Sequence, residues 1–144
     1  MPVSHVLTFS VPGVPAPQGS KHAFVVKGKD GRMHAPMVES SKSVKPWRAL
    51  IALAARDAMR DQGCAGFFGK EPVNIFVVFY FSRPKSVPKK QEHHVVRPDL
   101  DKLCRAVLDA LKGVVYGDDG QVGSILANKG YGTPGMQVEC RVAK

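Results

Sequence analysis

The sequence predicts an α+β fold: a single domain, residues 1–144, with a mixed β-sheet packed by two main helices. Three observations lead there. A chain of 144 residues has the length of one domain that can bury a core without disulfides or a structural metal. Segments whose apolar residues recur at every second position are interleaved with two segments whose apolar residues follow helical spacing. The composition, 44% hydrophobic and 23% charged, is that of an ordinary globular chain, neither disordered nor fibrous.

Residues 5–11 alternate, with His5, Leu7, Phe9 and Val11 on one side and Val6, Thr8 and Ser10 on the other, as in a strand resting one face on a core. The run VPGVPAPQGSK that follows holds three prolines and two glycines, which exclude regular structure. GKDGR (28–32) reads as a hairpin turn between short extended pieces. Residues 44–62 predict an amphipathic helix: Trp47, Leu50, Ile51, Ala54, Ala55 and Ala58 form its apolar side. Pro46 is tolerated in its first turn and Gly63 caps its end. VNIFVVFYF (73–81) is β-branched and aromatic throughout, which predicts a central strand covered on both faces. Residues 82–98 carry three prolines, two histidines and five basic residues, a loop that presents positive charge. A second helix over 100–112 has Leu103, Val107, Ala110 and Leu111 as its apolar stripe, and Gly113 closes it. The tail reads as turn (116–120), strand (121–129), turn (130–135) and strand (136–142), with the two strands forming an antiparallel hairpin.

Twenty-one basic against twelve acidic residues leave a net charge of +9, which points to a polyanionic partner, nucleic acid before an anionic membrane. Cys64, Cys104 and Cys140 are odd in number and far apart with no CxxC pair, which argues against a disulfide framework or a cysteine-based zinc module. No apolar run approaches the ~20 residues of a membrane span, and no signal peptide opens the chain. A cytoplasmic protein with no membrane association is expected.

Within this basic chain, Asp99, Asp101, Asp109, Asp118 and Asp119 gather in 21 residues. With Lys102, Arg105 and Lys112 the segment sums to −2, and the remainder of the chain to +11. Concentrated carboxylates weaken attraction to phosphates unless something neutralises them. A divalent cation that prefers hard oxygen ligands, Mg²⁺ or Mn²⁺, does so. Beside a phosphodiester it polarises the phosphoryl oxygen and lowers the pKa of an attacking water. Residues i and i+2 of a helix lie ~200° apart, so Asp99 and Asp101 converge only if Asp99 stands outside the helix. Pro98 biases Arg97 to extended conformations and so places the helix start near Asp99 or Asp101. Arg105, four residues after Asp101, shares its face. Asp119 has to return from the turn beyond the helix, and spacing alone does not require that it does. Ordinary roles stay open at this level: Asp99 as an N-cap, Asp101 as a first-turn acid, Asp119-Gly120 as a turn dipeptide, Asp109 as a solvated or Arg105-paired residue.

The segment RPDLDKLCRAVLDALKGVVYGDDGQV (97–122) resembles the signature of RusA-type Holliday junction resolvases. The matching positions are Pro98, Asp99 and Asp101, then Asp109-Ala110-Leu111, then Asp118, Asp119, Gln121 and Val122. VPGVPAPQGS resembles the opening of phage-borne members, and Lys129-Gly130-Tyr131 fits the end of the strand after the acidic pair. The resemblance implies a RusA-like fold and a homodimeric, Mg²⁺-dependent crossover junction endodeoxyribonuclease acting on four-way DNA, with no organic cofactor. It also implies a metal-binding catalytic set of Asp99, Asp101 and Asp119, with Asp118 as the fourth candidate ligand. Two departures stand out: the family's Asn after the second Asp is Lys102 here, and its Lys is Arg105. Arg105 keeps a positive charge for catalysis but is a poor proton donor, since its pKa exceeds ~12.

Lys85, Lys89, Lys90 and Arg97 are the expected phosphate contacts because they crowd the loop leading into the acidic site, with Lys102 and Lys129 as further DNA-binding candidates. His93 and His94 point apart in an extended chain and read as DNA contacts or plain loop rather than metal ligands. The aromatics of 76–81 read as core, although one exposed ring could stack on a base. Two other functions remain compatible: a non-catalytic nucleic-acid-binding protein, favoured by the substitutions at 102 and 105, and a metal nuclease acting on flap DNA, duplex DNA or RNA.

Overall fold

The computed structural model describes residues 5–19 and 42–143, together with Lys29 and the backbone of 21–23, 26–27, 33–34 and 37–39. Its elements run β1 (Val6–Pro12), β2 (Lys21–Ala23), β3 (Val26–Lys27), β4 (Met33–His34), β5 (Met37–Glu39), α1 (Val44–Gln62), β6 (Val73–Phe81), α2 (Leu100–Leu111), β7 (Val122–Tyr131) and β8 (Gly135–Val142). The main sheet has the order β1-β8-β6-β7, antiparallel except for the parallel pair β6–β7. It is mixed, and two helices pack on it, as the α+β expectation requires. Two-stranded ladders β2–β5 and β3–β4 complete the chain; β3 and β4 flank the expected turn at 28–32, of which all but Lys29 lies outside the described residues.

The helices form where the apolar spacing places them. α1 buries Val44, Trp47, Ile51, Ala55 and Ala58 and stops at Gly63, whose φ of 65° is the left-handed conformation of a helix cap. α2 buries Leu103, Ala106, Val107, Ala110 and Leu111. These two stripes meet Leu7 and Val11 of β1, Val73, Ile75, Val77, Phe79 and Phe81 of β6, and Met136, Val138 and Cys140 of β8 in one core. Cys64, Cys104 and Cys140 are all free thiols.

Two expectations are corrected. β6 is central but covered on one face only: its residues alternate between buried and more exposed, and Phe76 is 39% exposed on the open face. Nine apolar or aromatic residues in a row gave no alternation to read. The second correction concerns the C-terminal hairpin. β7 and β8 are not partners, because β6 lies between them. The connection across residues 132–134 passes the end of β6, where the Gly132 N–H donates to the Phe81 carbonyl at 2.9 Å. α2 is the crossover that makes β6 and β7 parallel, the connection a βαβ unit needs. Among the described residues, no helix is long and apolar enough to cross a membrane.

Candidate active site

The βαβ unit creates a groove between α2 and β7. Leu100, Asp101, Cys104, Arg105, Leu108 and Asp109 line it from the helix; Ile125, Leu126 and Ala127 line it from the strand, and Asp119 from the turn between them. Its volume is about 750 Å³. Three carboxylates and one guanidinium from separate turns of chain therefore share a single concavity.

The helix start explains Asp101. Asp99 is the N-cap in extended backbone, with φ −68° and ψ 138°, so α2 begins at Leu100 and Asp101 falls in its first turn. The Asp99 carboxylate makes no capping hydrogen bond. Its position outside the helix satisfies the condition for aiming toward the same end as Asp101. Asp99 immediately precedes Leu100 in the chain and is not among the residues that line the groove.

The return of Asp119 depends on the chain reversal after α2. Gly113 has a φ of 77°, and its N–H donates to the Tyr116 carbonyl at 2.7 Å, while Val114 and Val115 both bond back to Leu111. This tight turn brings Tyr116 under the helix, fully buried, with its hydroxyl 3.1 Å from the Leu108 carbonyl and 3.3 Å from Asp119 Oδ1. Burial, and then the neighbouring Asp119 charge, push the Tyr116 phenol far above its ordinary value, so it stays a proton donor throughout the working pH range. Gln121 fixes the same turn from the other side. Its Oε1 accepts from the N–H groups of Gly117 and Asp118, and its Nε2 donates to the carbonyls of Phe67 and Glu71. Neither Tyr116 nor the role of Gln121 was anticipated from the sequence; the Gln in the acidic signature was the only available signal.

The structure separates the acidic pair. Asp119 faces the groove, whereas Asp118 is exposed, lies 3.4 Å from the Lys112 ammonium and does not line the groove. Asp109 lines the groove, and no ion pair joins it to Arg105 among the described residues. Cys104 also faces in, but burial and the Asp101 charge push its thiol up, so it is protonated at neutral pH and supplies no soft thiolate.

The basic loop is anchored rather than loose. Arg83 donates to the carbonyls of Pro88 and Gln91 and lays its guanidinium 4.7 Å from the centre of the Tyr131 ring. His94 is buried between Phe81 and Tyr131, with ring centroids at 4.4 and 5.2 Å, and its N–H bonds the Lys129 carbonyl. Lys85, Lys89, Lys90 and Arg97 are exposed around this scaffold. Lys129 is placed differently from the other DNA-binding candidates. Its ammonium donates to the carbonyls of Val96 at 2.6 Å and Pro98 at 2.8 Å, tying β7 to the residue before Asp99. Lys102 is half-buried, and its carbonyl receives the Gln18 N–H at 2.9 Å.

Among the described residues, no three His, Cys, Asp or Glu side chains converge into a closed metal cage. Magnesium does not need one: it keeps several waters and is held by one or two carboxylates together with substrate phosphates. The hard oxygens of Asp101 and Asp119, in a groove whose thiol is protonated, fit that requirement.

The domain sets a carboxylate groove beside a basic loop, and comparison with known proteins gives its class as DNA-cleaving enzymes. Residues 12–141 match the endodeoxyribonuclease RusA family, and the chain belongs to that family. It is also similar to the uncharacterized protein YqaN of Bacillus subtilis (strain 168), at 30% identity over 135 residues covering 87% of each chain.

Proposed function

We propose that this protein is a Mg²⁺-dependent nuclease that resolves four-way DNA junctions by paired nicks in opposing strands. The observation that carries the reading is that Asp101 and Asp119, 18 positions apart, line one groove with Arg105 between a helix and a strand. Family membership supplies the reaction class, since RusA enzymes are endodeoxyribonucleases.

In this reading Asp101 and Asp119 would hold the ion, with Asp99, the residue that precedes α2, as the third ligand that the family resemblance implies. Asp118 is left out because its carboxylate sits against Lys112. When bound, Mg²⁺ polarises the phosphoryl oxygen and lowers the pKa of an attacking water; Mn²⁺ substitutes for it. Arg105 keeps a fixed positive charge beside the scissile phosphate and serves as a charge stabiliser, not as the acid that protonates the leaving oxygen. Lys85, Lys89, Lys90 and Arg97 track the DNA backbone. A two-fold homodimer matches the symmetry of the junction and sets one groove against each of two opposing strands.

The test is to incubate the purified protein with end-labelled four-way, flap and linear duplex DNA in Mg²⁺ or EDTA. Symmetric nicking of the four-way substrate is expected, abolished by EDTA and by Asp101→Asn without loss of junction binding. Tight binding with no nicks in either Mg²⁺ or Mn²⁺ would instead identify a non-catalytic DNA-binding protein. Preferred cleavage of flap or duplex would reassign the substrate.

A further inference from the structure

Behind the groove, one of its carboxylates meets a buried hydroxyl. Tyr116 is fully buried beneath α2, and its phenol oxygen lies within hydrogen-bond distance of both the Leu108 carbonyl, at 3.1 Å, and Asp119 Oδ1, at 3.3 Å. A phenol has one proton to give. The Leu108 carbonyl also accepts the Lys112 N–H at 3.1 Å, so it keeps a partner if the hydroxyl is removed. Asp119 is the charged acceptor, and hydrogen bonds to charged acceptors are roughly twice as strong as neutral ones. The hydroxyl is shared between the two acceptors, and Asp119 is the one whose side chain it can orient.

We propose that Tyr116 is a positioning residue: its hydroxyl holds one oxygen of Asp119 and so turns the other into the groove toward Asp101. The inference rests on the reading of Asp119 as a metal ligand and adds the residue that aims it. The aim has a physical need. Asp119 is the single groove carboxylate borne on a short turn, Asp119–Gln121, whereas Asp101 and Asp109 ride on α2. Among the described residues, Gln121 fixes the backbone of that turn through Gly117, Asp118, Phe67 and Glu71 and makes no hydrogen bond to the Asp119 side chain. Tyr116 donates to that carboxylate at 3.3 Å. An outer partner of this kind orients a ligand before the ion arrives, and its loss typically weakens metal affinity 10–100-fold.

The experiment compares the wild-type chain, Tyr116→Phe, Asp119→Asn and the double variant. Each is measured for Mn²⁺ affinity by isothermal titration without DNA, for kcat and KM on a four-way junction, and for melting temperature. Tyr116→Phe keeps the ring in the core, so its melting temperature should stay within a few degrees of wild type. Its Mn²⁺ dissociation constant should rise about 10-fold or more. Its kcat should fall, with KM unchanged. In the Asp119→Asn background the same substitution should have no further effect on Mn²⁺ affinity, because the group it aims is gone. Unchanged Mn²⁺ affinity and kcat in Tyr116→Phe, or an equal loss in both backgrounds, would overturn the proposal. So would a variant that unfolds, since the hydroxyl then serves the fold. If the wild type binds Mn²⁺ but cleaves no branched DNA, the functional reading fails while the aiming role of Tyr116 is still decided by the titrations.

Discussion

Gln121 shows how much one side chain contributes to this site. Its amide is oriented so that the oxygen meets two N–H groups and the nitrogen meets two carbonyls; the flipped amide would oppose donors to donors and acceptors to acceptors. These bonds join the acidic turn to residues 67 and 71, in the connection between α1 and β6. Replacing Gln121 by alanine leaves the Phe67 and Glu71 carbonyls without that donor. The expected loss is about 1–3 kcal/mol of stability, read by urea unfolding. A change below a few tenths would mean that water replaces the amide. The aspartates of the site were legible as a cluster because charge is visible in a one-dimensional sequence. The residues that aim and clamp them were not. By sequence Tyr116 falls in the turn over 116–120, and nothing in spacing reveals that its ring is buried and its hydroxyl meets Asp119. Lys129 likewise reads as surface charge until its ammonium is seen on the carbonyls of Val96 and Pro98.

At the scale of elements, the helices and β6 were readable because their periodicities are long and local, whereas the pairing of β7 and β8 was not. A strand, a glycine-rich turn and a strand are what a hairpin offers, and the same pattern serves a connection that steps over β6. The partner was decided by burial: β6, with five fully or nearly buried residues, takes the interior position. The loop over 82–98 gains its order partly from within, through Arg83 on the Pro88 and Gln91 carbonyls, and partly from outside, through Phe81, Tyr131 and Lys129. His94 makes that order sensitive to acid. Burial, and then the Lys129 ammonium, hold its pKa below the ordinary 6.5, and its Nδ1 has no hydrogen-bond partner among the described residues. A base whose native pKa is depressed contributes stability that is complete above its unfolded value and is lost as pH falls through the native one. The melting temperature should therefore hold above pH 6.5 and decline below it, as the imidazolium is forced beside Lys129 and between two rings. His94→Phe, which keeps the aromatic stack and removes the proton, should flatten that decline. Parallel curves for the two proteins would clear His94 of the effect.

For the molecule as a whole, the question is how a surface of net +9 carries an acidic groove to a polyanion. Five of the twelve acids fall in 99–119, and the cations just before them stand on a loop anchored to the same strand that walls the groove. Not every cation is equally available. Arg60 is engaged with Asp57 at 3.4 Å and Asp61 at 3.2 Å, and its charge is largely cancelled locally. Lys89 and Lys90 are exposed, with no recorded ion pair among the described residues. Each phosphate neutralised by a protein cation releases counterions and adds about 0.9 to the slope of log affinity against log salt concentration on duplex arms. The variant Lys89→Gln, Lys90→Gln should therefore bind a four-way junction with a slope shallower by up to about 1.8. Arg60→Gln should leave the slope as it is. Both would be measured by fluorescence anisotropy in EDTA across a salt series, so that cleavage does not intervene. An unchanged slope in the lysine double variant would remove the loop from the interface and shift the search to the cations of α1. A drop of similar size in Arg60→Gln would mean that net charge, rather than the placement of the loop, governs the encounter.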